Sequence, residues 1–383
     1  MSITIFSIYR KNNTVERRKS WHGLSCHWTS TKKILSTSPY GTVSRMIHHR
    51  QPAEWAHHSA VWLAWPSDTS LWKENLQTAQ TEFQGLCQAI ACIDPLTKKA
   101  LGERLEILVP NEIAEQLARS MLYDLPANYH HIPFGDIWLR DTAPIFVQSA
   151  HGAATVRFRF NGWGNKYMLD HDAAVAASIA RTAKIPDYTF PWVFEGGSID
   201  VDGEGTCITT RQCLLNKNRN PDMTQGQIEA GLRDALGIEK VLWLQDGLIN
   251  DHTDGHVDTI ARFVAPRRVV CMEALDPNDP NKEVLAQIAH DLSTFTDHQG
   301  RLLEVIKIPS PGIIGDSMPA SYVNFYIGNS AVVVPTYGSP YDQAAVAALV
   351  PLFPGRHVCG MPARAILTGG GAFHCITQQQ VKL

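Results

Sequence analysis

Residues 260–272 read IARFVAPRRVVCM. Ile260–Val264 and Val269–Met272 are short apolar runs rich in β-branched residues, and Pro266, Arg267 and Arg268 between them supply a turn, so the stretch is a strand–turn–strand unit. Working outward, the same kind of run returns at Leu105–Val109 (LEILV), Val241–Leu244 (VLWL) and Ala331–Val334 (AVVV), the last apolar throughout and therefore expected to be buried on both faces. Between these strands the period changes. In residues 73–93, Leu76, Ala79, Phe83, Leu86, Ile90 and Ile93 recur at three- and four-residue steps, the apolar face of a helix. A second helix is expected over Ala173–Ala183. A third should start near Asp342, where the carboxylate can cap it, and stop at Pro354-Gly355. The alternation makes an α/β protein. No linker rich in Gly, Ser or Pro interrupts residues 52–383 and no repeat is visible in the letters, so one continuous domain is the simplest partition.

The 383 residues are 44% hydrophobic and 19% charged, with a formal net charge of −3, an ordinary globular composition. No stretch approaches 18 uninterrupted apolar residues, which argues against a membrane-spanning helix, and the acidic balance argues against a chain built mainly to hold nucleic acid. The sum hides an asymmetry: residues 1–45 carry eight Lys/Arg and one acid (+7), while residues 46–383 carry −10. The leader is compatible with an organelle transit peptide; the simpler reading is a disordered extension, or upstream sequence ahead of a start at Met46. The domain plan is thus a leader, 1–45, and a single catalytic domain, 46–383. Eight cysteines are scattered with no C-x-x-C pair. Buried small hydrophobes in a reducing compartment, hence a cytoplasmic protein, are the expectation for most of them.

Four polar clusters could carry chemistry. Asn250–Asp258 (NDHTDGHVD) holds three Asp and two His immediately before the strand at 260. On an extended chain Asp254, His256 and Asp258 share a face. A hard-metal site, a solvated turn, and an acid/base site with carboxylates holding a cation are all open readings of that cluster. Asp136–Pro144 (DIWLRDTAP) sets Asp136 and Asp141 around Trp138 and Arg140, a carboxylate beside an aromatic face that suits a planar cation; a surface ion pair and a core Trp are the plain alternative. Phe194–Asp200 (FEGGSID) places Glu195 at the end of an apolar run before two glycines, which let a ligand approach the backbone, or else form a simple turn. Thr368–Gln380 (TGGGAFHCITQQQ) presents Cys375 after three glycines, either as a nucleophile on a tight turn or as a buried Cys on a C-terminal strand. Together the clusters offer a thiol, histidines and several acids but no Lys. That set suits a cationic substrate held by carboxylates and attacked by a thiolate.

With these stretches in place, PAEWAHHSAVWLAWP (52–66), DIWLRDTAP (136–144), NGWGNKY (161–167), FEGGSID (194–200), DGHVDTIARF (254–263), SYVNFYIGN (321–329) and GGGAFHCITQQQ (369–380) together resemble the agmatine deiminases, of the bacterial peptidylarginine-deiminase-like group in the guanidine-modifying superfamily. The seven blocks occur in the family's order and cover essentially all of 52–383. The resemblance implies a five-bladed, pseudo-symmetric α/β propeller (the pentein fold) built of ββαβ units around a central site; from Met46 the chain offers about 68 residues per blade. It implies Cys375 as nucleophile, His256 as general acid/base, Glu195 as the carboxylate paired with His256, and Asp141 and Asp258 gripping the guanidinium, with Trp138 lining the pocket. His374 would point away on an extended strand. Ala372 and Phe373 stand where Asn and Ile are usual, which bears on substrate preference.

The implied reaction needs no metal and no organic cofactor. It converts agmatine, a small cationic guanidino substrate, to N-carbamoylputrescine and ammonia, on the way to putrescine. No nucleic acid or membrane partner is expected, and a homo-oligomer is compatible. Rival readings are a deiminase of free or peptidyl arginine, a non-enzymatic guanidino-binding relative, and a metal-dependent hydrolase built on 250–258.

Overall fold

A computed structural model of the chain describes residues 49–315 and 318–382. The expected leader, 1–45, its Cys26 and the start at Met46 lie outside the described residues. Those described belong to one compact unit.

Five small sheets share one strand pattern. The first contains β1 (His58–Ala64), β2 (Arg104–Val109) and β3 (Ala127–His131); the second β4 (Ile145–Ser149), β5 (Gly152–Arg159) and β6 (Asp187–Val193); the third β7 (Ile199–Val201), β8 (Thr206–Thr210) and β9 (Lys240–Leu244). The fourth contains β10 (Ala261–Ala265), β11 (Arg268–Glu273) and β12 (Glu304–Pro309), and the fifth β13 (Tyr326–Ile327), β14 (Ala331–Thr336) and β15 (His357–Pro362). In sheets two to five the first strand runs antiparallel to the second, and the third returns parallel to the second after a helix. Those crossover helices are Asp172–Ala183, Gln225–Leu236, Lys282–Thr294 and Asp342–Leu349. A parallel pair needs such a connection, whereas the antiparallel pair needs only a tight turn. The first sheet lacks an early antiparallel strand, because its partner comes from the far end of the chain. β16 (Gln378–Val381) pairs antiparallel with β1, and the helix Leu76–Ala91 carries β1 over to β2. The repeat invisible in the letters is therefore plain in the topology.

Local chemistry explains the boundaries. Gln225–Leu236 opens with a reciprocal capping box between Thr224 and Gln227 and ends on Gly237 in the left-handed region, as caps of both kinds favour. The opening hairpin turns on Pro266 and Arg267 alone, with Ala265 facing Arg268. Two expectations need correction. The helix over 73–93 stops at Ala91, because Cys92 turns left-handed, so Ile93 lies beyond it. Asp342 does not cap its own helix; it is the first helical residue, and its carboxylate accepts from the Tyr337 and Gly338 N–H groups and the Tyr322 hydroxyl.

The strands that open each unit (β4, β7, β10, β13 and, by closure, β16) are edge strands of their sheets and largely buried. β7 touches β10, and β4 touches β16. Packing of these short edges covers ladder that would otherwise be open to aggregation, and the segments leading into them are brought together. Among the described residues no helix is long and apolar enough to cross a membrane.

Candidate active site

Each segment leading into an edge strand delivers a polar side chain to one place. Asp141 lies on the short helix Leu139–Thr142 before β4, and Glu195 just ahead of the Gly196–Ser198 turn before β7. His256 and Asp258 flank the start of the Val257–Thr259 turn before β10, Asn324 lies just before β13, and Cys375 lies just before β16. All six are buried.

The contacts run in a chain. Cys375 Sγ lies 3.5 Å from Asp258 Oδ2 and accepts a hydrogen bond of 3.1 Å from Asn324 Nδ2. His256 Nδ1 lies 3.8 Å from Asp141 Oδ2, and its Nε2 lies 3.6 Å from Glu195 Oε2. These two separations exceed hydrogen-bond length, and both ring nitrogens and Asp258 Oδ1 have no hydrogen-bond partner. Gly197 marks where the groups converge: a Cβ there would fall 2.7 Å from His256 Nδ1, 2.9 Å from Asp141 Oδ1 and 3.1 Å from Asp258 Oδ2. Only glycine fits.

Each group is aimed by a second. Asp141 accepts from the Trp163 indole at 2.8 Å and from the Gly197 N–H at 2.9 Å. Trp163 sits in the left-handed region (φ 51), a conformation costing about 1–3 kcal/mol for a non-glycine residue. Glu195 is held by Arg219 Nε at 3.0 Å. Trp138 donates to Asp136 at 2.8 Å and packs under the glycine triplet, where a Cβ on Gly371 would lie 2.8 Å from the indole and 3.0 Å from Cys375 Sγ. The triplet is thus required because its backbone lies on Trp138 and against the thiol. Arg140 pairs not with its neighbour Asp141 but with Glu54, at 3.0 Å.

Burial would lower the pKa of the His256 imidazole, but Asp141, Cys213 and Glu195 together outweigh it and hold it well above the usual histidine range. Burial pushes the Asp141 carboxyl up against the pull of His256, and Asp258 and Glu195 add to the rise. Asp258 is also penalised by burial, yet the His374 hydrogen bond and charge keep it low. The Cys375 thiol is pushed far up by burial and then by Asp258 and Asp141, with the Asn324 hydrogen bond opposing.

The structure brings together all six side chains singled out from the sequence: Cys375, His256, Glu195, Asp141, Asp258 and Trp138. It corrects the route by which two clusters arrive. Residues 254–258 are not extended. Asp254 (φ 65) and Gly255 (φ 81) turn left-handed, so Asp254 departs to Lys166 (2.8 Å) and Arg219 while His256 and Asp258 converge. His374 does not point away either. Residues 373–376 form a turn rather than a strand, and His374 Nδ1 reaches Asp258 Oδ2 at 2.7 Å while Nε2 reaches Glu54 Oε1 at 2.7 Å. Asn324, Glu54, Arg219 and Cys213 were missed. Asn324 and Glu54 lie inside quoted motifs and Arg219 in none; all three have no local signal, since their partners are distant in sequence. Cys213, read as plain core, lies against Glu195 and His256.

A cavity of about 480 Å³ lies beside the site, lined by residues including Lys166, Tyr167, Asp251, His252, Met318 and Gly370. It shares Gly370 with the glycine turn and Asp251 with the His256 backbone N–H (3.1 Å). Among the described residues, one group has the spacing to hold a metal ion: Glu195, Cys213 and His256. It shares only His256 with the oxygen-rich 250–258 cluster of the metal reading.

A family model for the Porphyromonas-type peptidyl-arginine deiminases matches residues 50–380. The agmatine deiminase of Stutzerimonas stutzeri is 40% identical over 364 residues, covering 88% of this chain and 96% of its own. The agmatine deiminase of Pseudomonas aeruginosa is 38% identical over 359 residues, 86% and 95% of the two chains. A solved agmatine deiminase of Enterococcus faecalis superposes with a TM-score of 0.80 at 33% identity, covering 88% of this chain and 96% of that one, so the five-sheet α/β architecture is that of the pentein fold. The chain belongs to the Porphyromonas-type peptidyl-arginine deiminase family, whose agmatine deiminases are its relatives across nearly their whole length.

Proposed function

We propose that this chain is an agmatine deiminase, hydrolysing the guanidino group of agmatine to N-carbamoylputrescine and ammonia through a covalent adduct on Cys375. The observation that carries the reading is the convergence of one imidazole and two carboxylates on Gly197, with His256 Nδ1 3.8 Å from Asp141 and the Cys375 thiol 3.5 Å from Asp258.

In the proposed reaction the planar guanidinium lies between Asp141 and Asp258, whose charges keep it cationic. Its charge in turn relieves the two carboxylates that hold the Cys375 thiol up, so the bound substrate itself favours the reactive form, thiolate on Cys375 and imidazolium on His256. The thiolate forms a C–S bond to the guanidinium carbon. His256 gives its proton to an NH₂ group, the C–N bond breaks and ammonia leaves, giving a cationic amidino-thioether. His256, now neutral and set against Glu195, takes a proton from water. The hydroxide adds to the same carbon, the C–S bond breaks and the proton of the added hydroxyl passes to solvent water, releasing the neutral ureido product and the thiolate and leaving His256 as imidazolium. These steps use side chains alone.

Agmatine rather than arginine is favoured by the neighbouring cavity. Among the described residues its lining contains no arginine to clamp an α-carboxylate, and its lysine, Lys166, is engaged by Asp254 at 2.8 Å. The test is ammonia release from agmatine, arginine and an arginyl peptide. Agmatine should be preferred, and Cys375→Ser should abolish turnover. Preference for arginine would overturn the substrate, and ammonia release by the serine variant would overturn the mechanism.

A further inference from the structure

We propose that Glu195, Cys213 and His256 form a binding site for a zinc-class divalent cation, and that occupation of this site switches the enzyme off. The inhibitory consequence rests on the function proposed above; the binding site does not.

Cys213 comes from the short helix Arg211–Leu214 that follows β8, and Thr210 caps that helix on the Cys213 N–H at 3.1 Å. The thiol is fully buried. Its Sγ lies 4.0 Å from Glu195 Oε2, which lies 3.6 Å from His256 Nε2, and all three candidate ligand atoms fall within 4.8 Å of one another. A tetrahedral zinc ion with N and O ligands at about 2.0–2.1 Å and S at about 2.3 Å needs ligand separations of roughly 3.3–3.6 Å. The two pairs that involve Glu195 therefore need to close by only a few tenths of an ångström, and Cys213 Sγ and His256 Nε2, within 4.8 Å of each other, by about 1 Å at most. His256 Nε2 is a buried nitrogen with no hydrogen-bond partner, which a metal would satisfy.

The surroundings match a metal site beyond the ligands. The other ring nitrogen of His256 faces the Asp141 carboxylate at 3.8 Å, so a further approach of under an ångström would make the carboxylate–histidine hydrogen bond that orients a ligating imidazole. Arg219 Nε fixes the Glu195 carboxylate through both oxygens, Oε1 at 3.0 Å and Oε2 at 3.3 Å, and Oε2 also faces Cys213 and His256. Three protein ligands leave a fourth position open. Binding would release the thiol proton, Zn²⁺ plus Cys–SH giving Zn²⁺–thiolate plus H⁺, and would lock the imidazole that must carry protons.

The full chain, stripped with a chelator, is titrated with ZnCl₂ by calorimetry and with CoCl₂ by absorbance, where a thiolate ligand gives a charge-transfer band. One equivalent should bind with that band. Cys213→Ala should abolish the band and weaken Zn²⁺ binding more than about tenfold, a change of about 1.4 kcal/mol or more, while Cys375→Ser keeps both. Cys213→Ser serves if the alanine variant does not fold, since a hydroxyl gives no thiolate band. Absence of the band in the parent chain, its survival in the Cys213 variants, or its loss in Cys375→Ser would each overturn the site. Zn²⁺ should also stop ammonia release, reversibly with chelator; full turnover with the site occupied would overturn the switch. A chain that never releases ammonia yet binds Co²⁺ through Cys213 refutes the proposed function and leaves the site standing.

Discussion

Two groups of buried charges lie back to back in this protein and use the same residue types at different distances. In the reactive cluster, His256 stands 3.6 and 3.8 Å from its carboxylates, and Asp258 Oδ1 and both imidazole nitrogens have no hydrogen-bond partner. Behind it, Glu54 meets Arg140 at 3.0 Å, Arg262 and His374, while Arg262 Nε also reaches Asp200 at 2.6 Å and its Nη1 reaches the Phe325 carbonyl at 3.2 Å. Most of that network is at hydrogen-bond length, with Arg140 Nη2 an exception. His374 joins the two, with one ring nitrogen on each. The difference separates a scaffold from a site. Paired buried charges are rigid and inert, whereas charges held just out of reach keep their interaction free for another molecule.

Substitutions can break this contrast. His256→Ala should lower kcat by roughly 10²–10⁴-fold and leave an amidino adduct on Cys375 detectable by mass spectrometry; a freely turning-over variant would remove His256 from the reactive cluster. Glu54→Gln should act on the other side, leaving Arg140, Arg262 and His374 without their carboxylate at a cost of about 3–5 kcal/mol, read as a lower urea midpoint. A shift within error would show that the network is not the scaffold. Asn324→Ala, which removes a hydrogen bond to a thiolate, should cost about 1.5–3 kcal/mol, roughly a 10–100-fold loss of kcat/KM with the fold intact by circular dichroism. The mildest probe is pH. Because burial, Asp258 and Asp141 raise the Cys375 pKa in the substrate-free protein, the thiolate fraction grows as pH rises. Alkylation of Cys375 should accelerate about tenfold per pH unit through pH 9. A plateau near neutrality would place Cys375 among the groups already poised.

The sequence exposed some of this unevenly. Strands such as Ala331–Val334 and the helix at Leu76 were legible because burial leaves a period in the letters. Cys375, His256, Glu195 and Asp141 stood out because glycines and acids cluster beside them. The network was silent. Glu54 meets Arg262 across 208 positions and His374 across 320, and no local pattern encodes a partner that far away. Cys213 looked like core because it is core; only the fold shows what it is packed against. Residues 254–258 misled because two left-handed residues break the alternation that an extended reading assumes.

The closure of the first sheet also has a consequence for how the chain is made. The Trp62 indole on β1 hydrogen-bonds Gln380 on β16, 318 residues later. At a synthesis rate of about 5–20 residues per second, β1 leaves the ribosome roughly 15–65 s before its edge partner exists. The same final segment carries Cys375. A nascent chain thus holds an unfinished first sheet until Gln378–Val381 has been made, and it gains that seam and its reactive thiol within a few residues of each other.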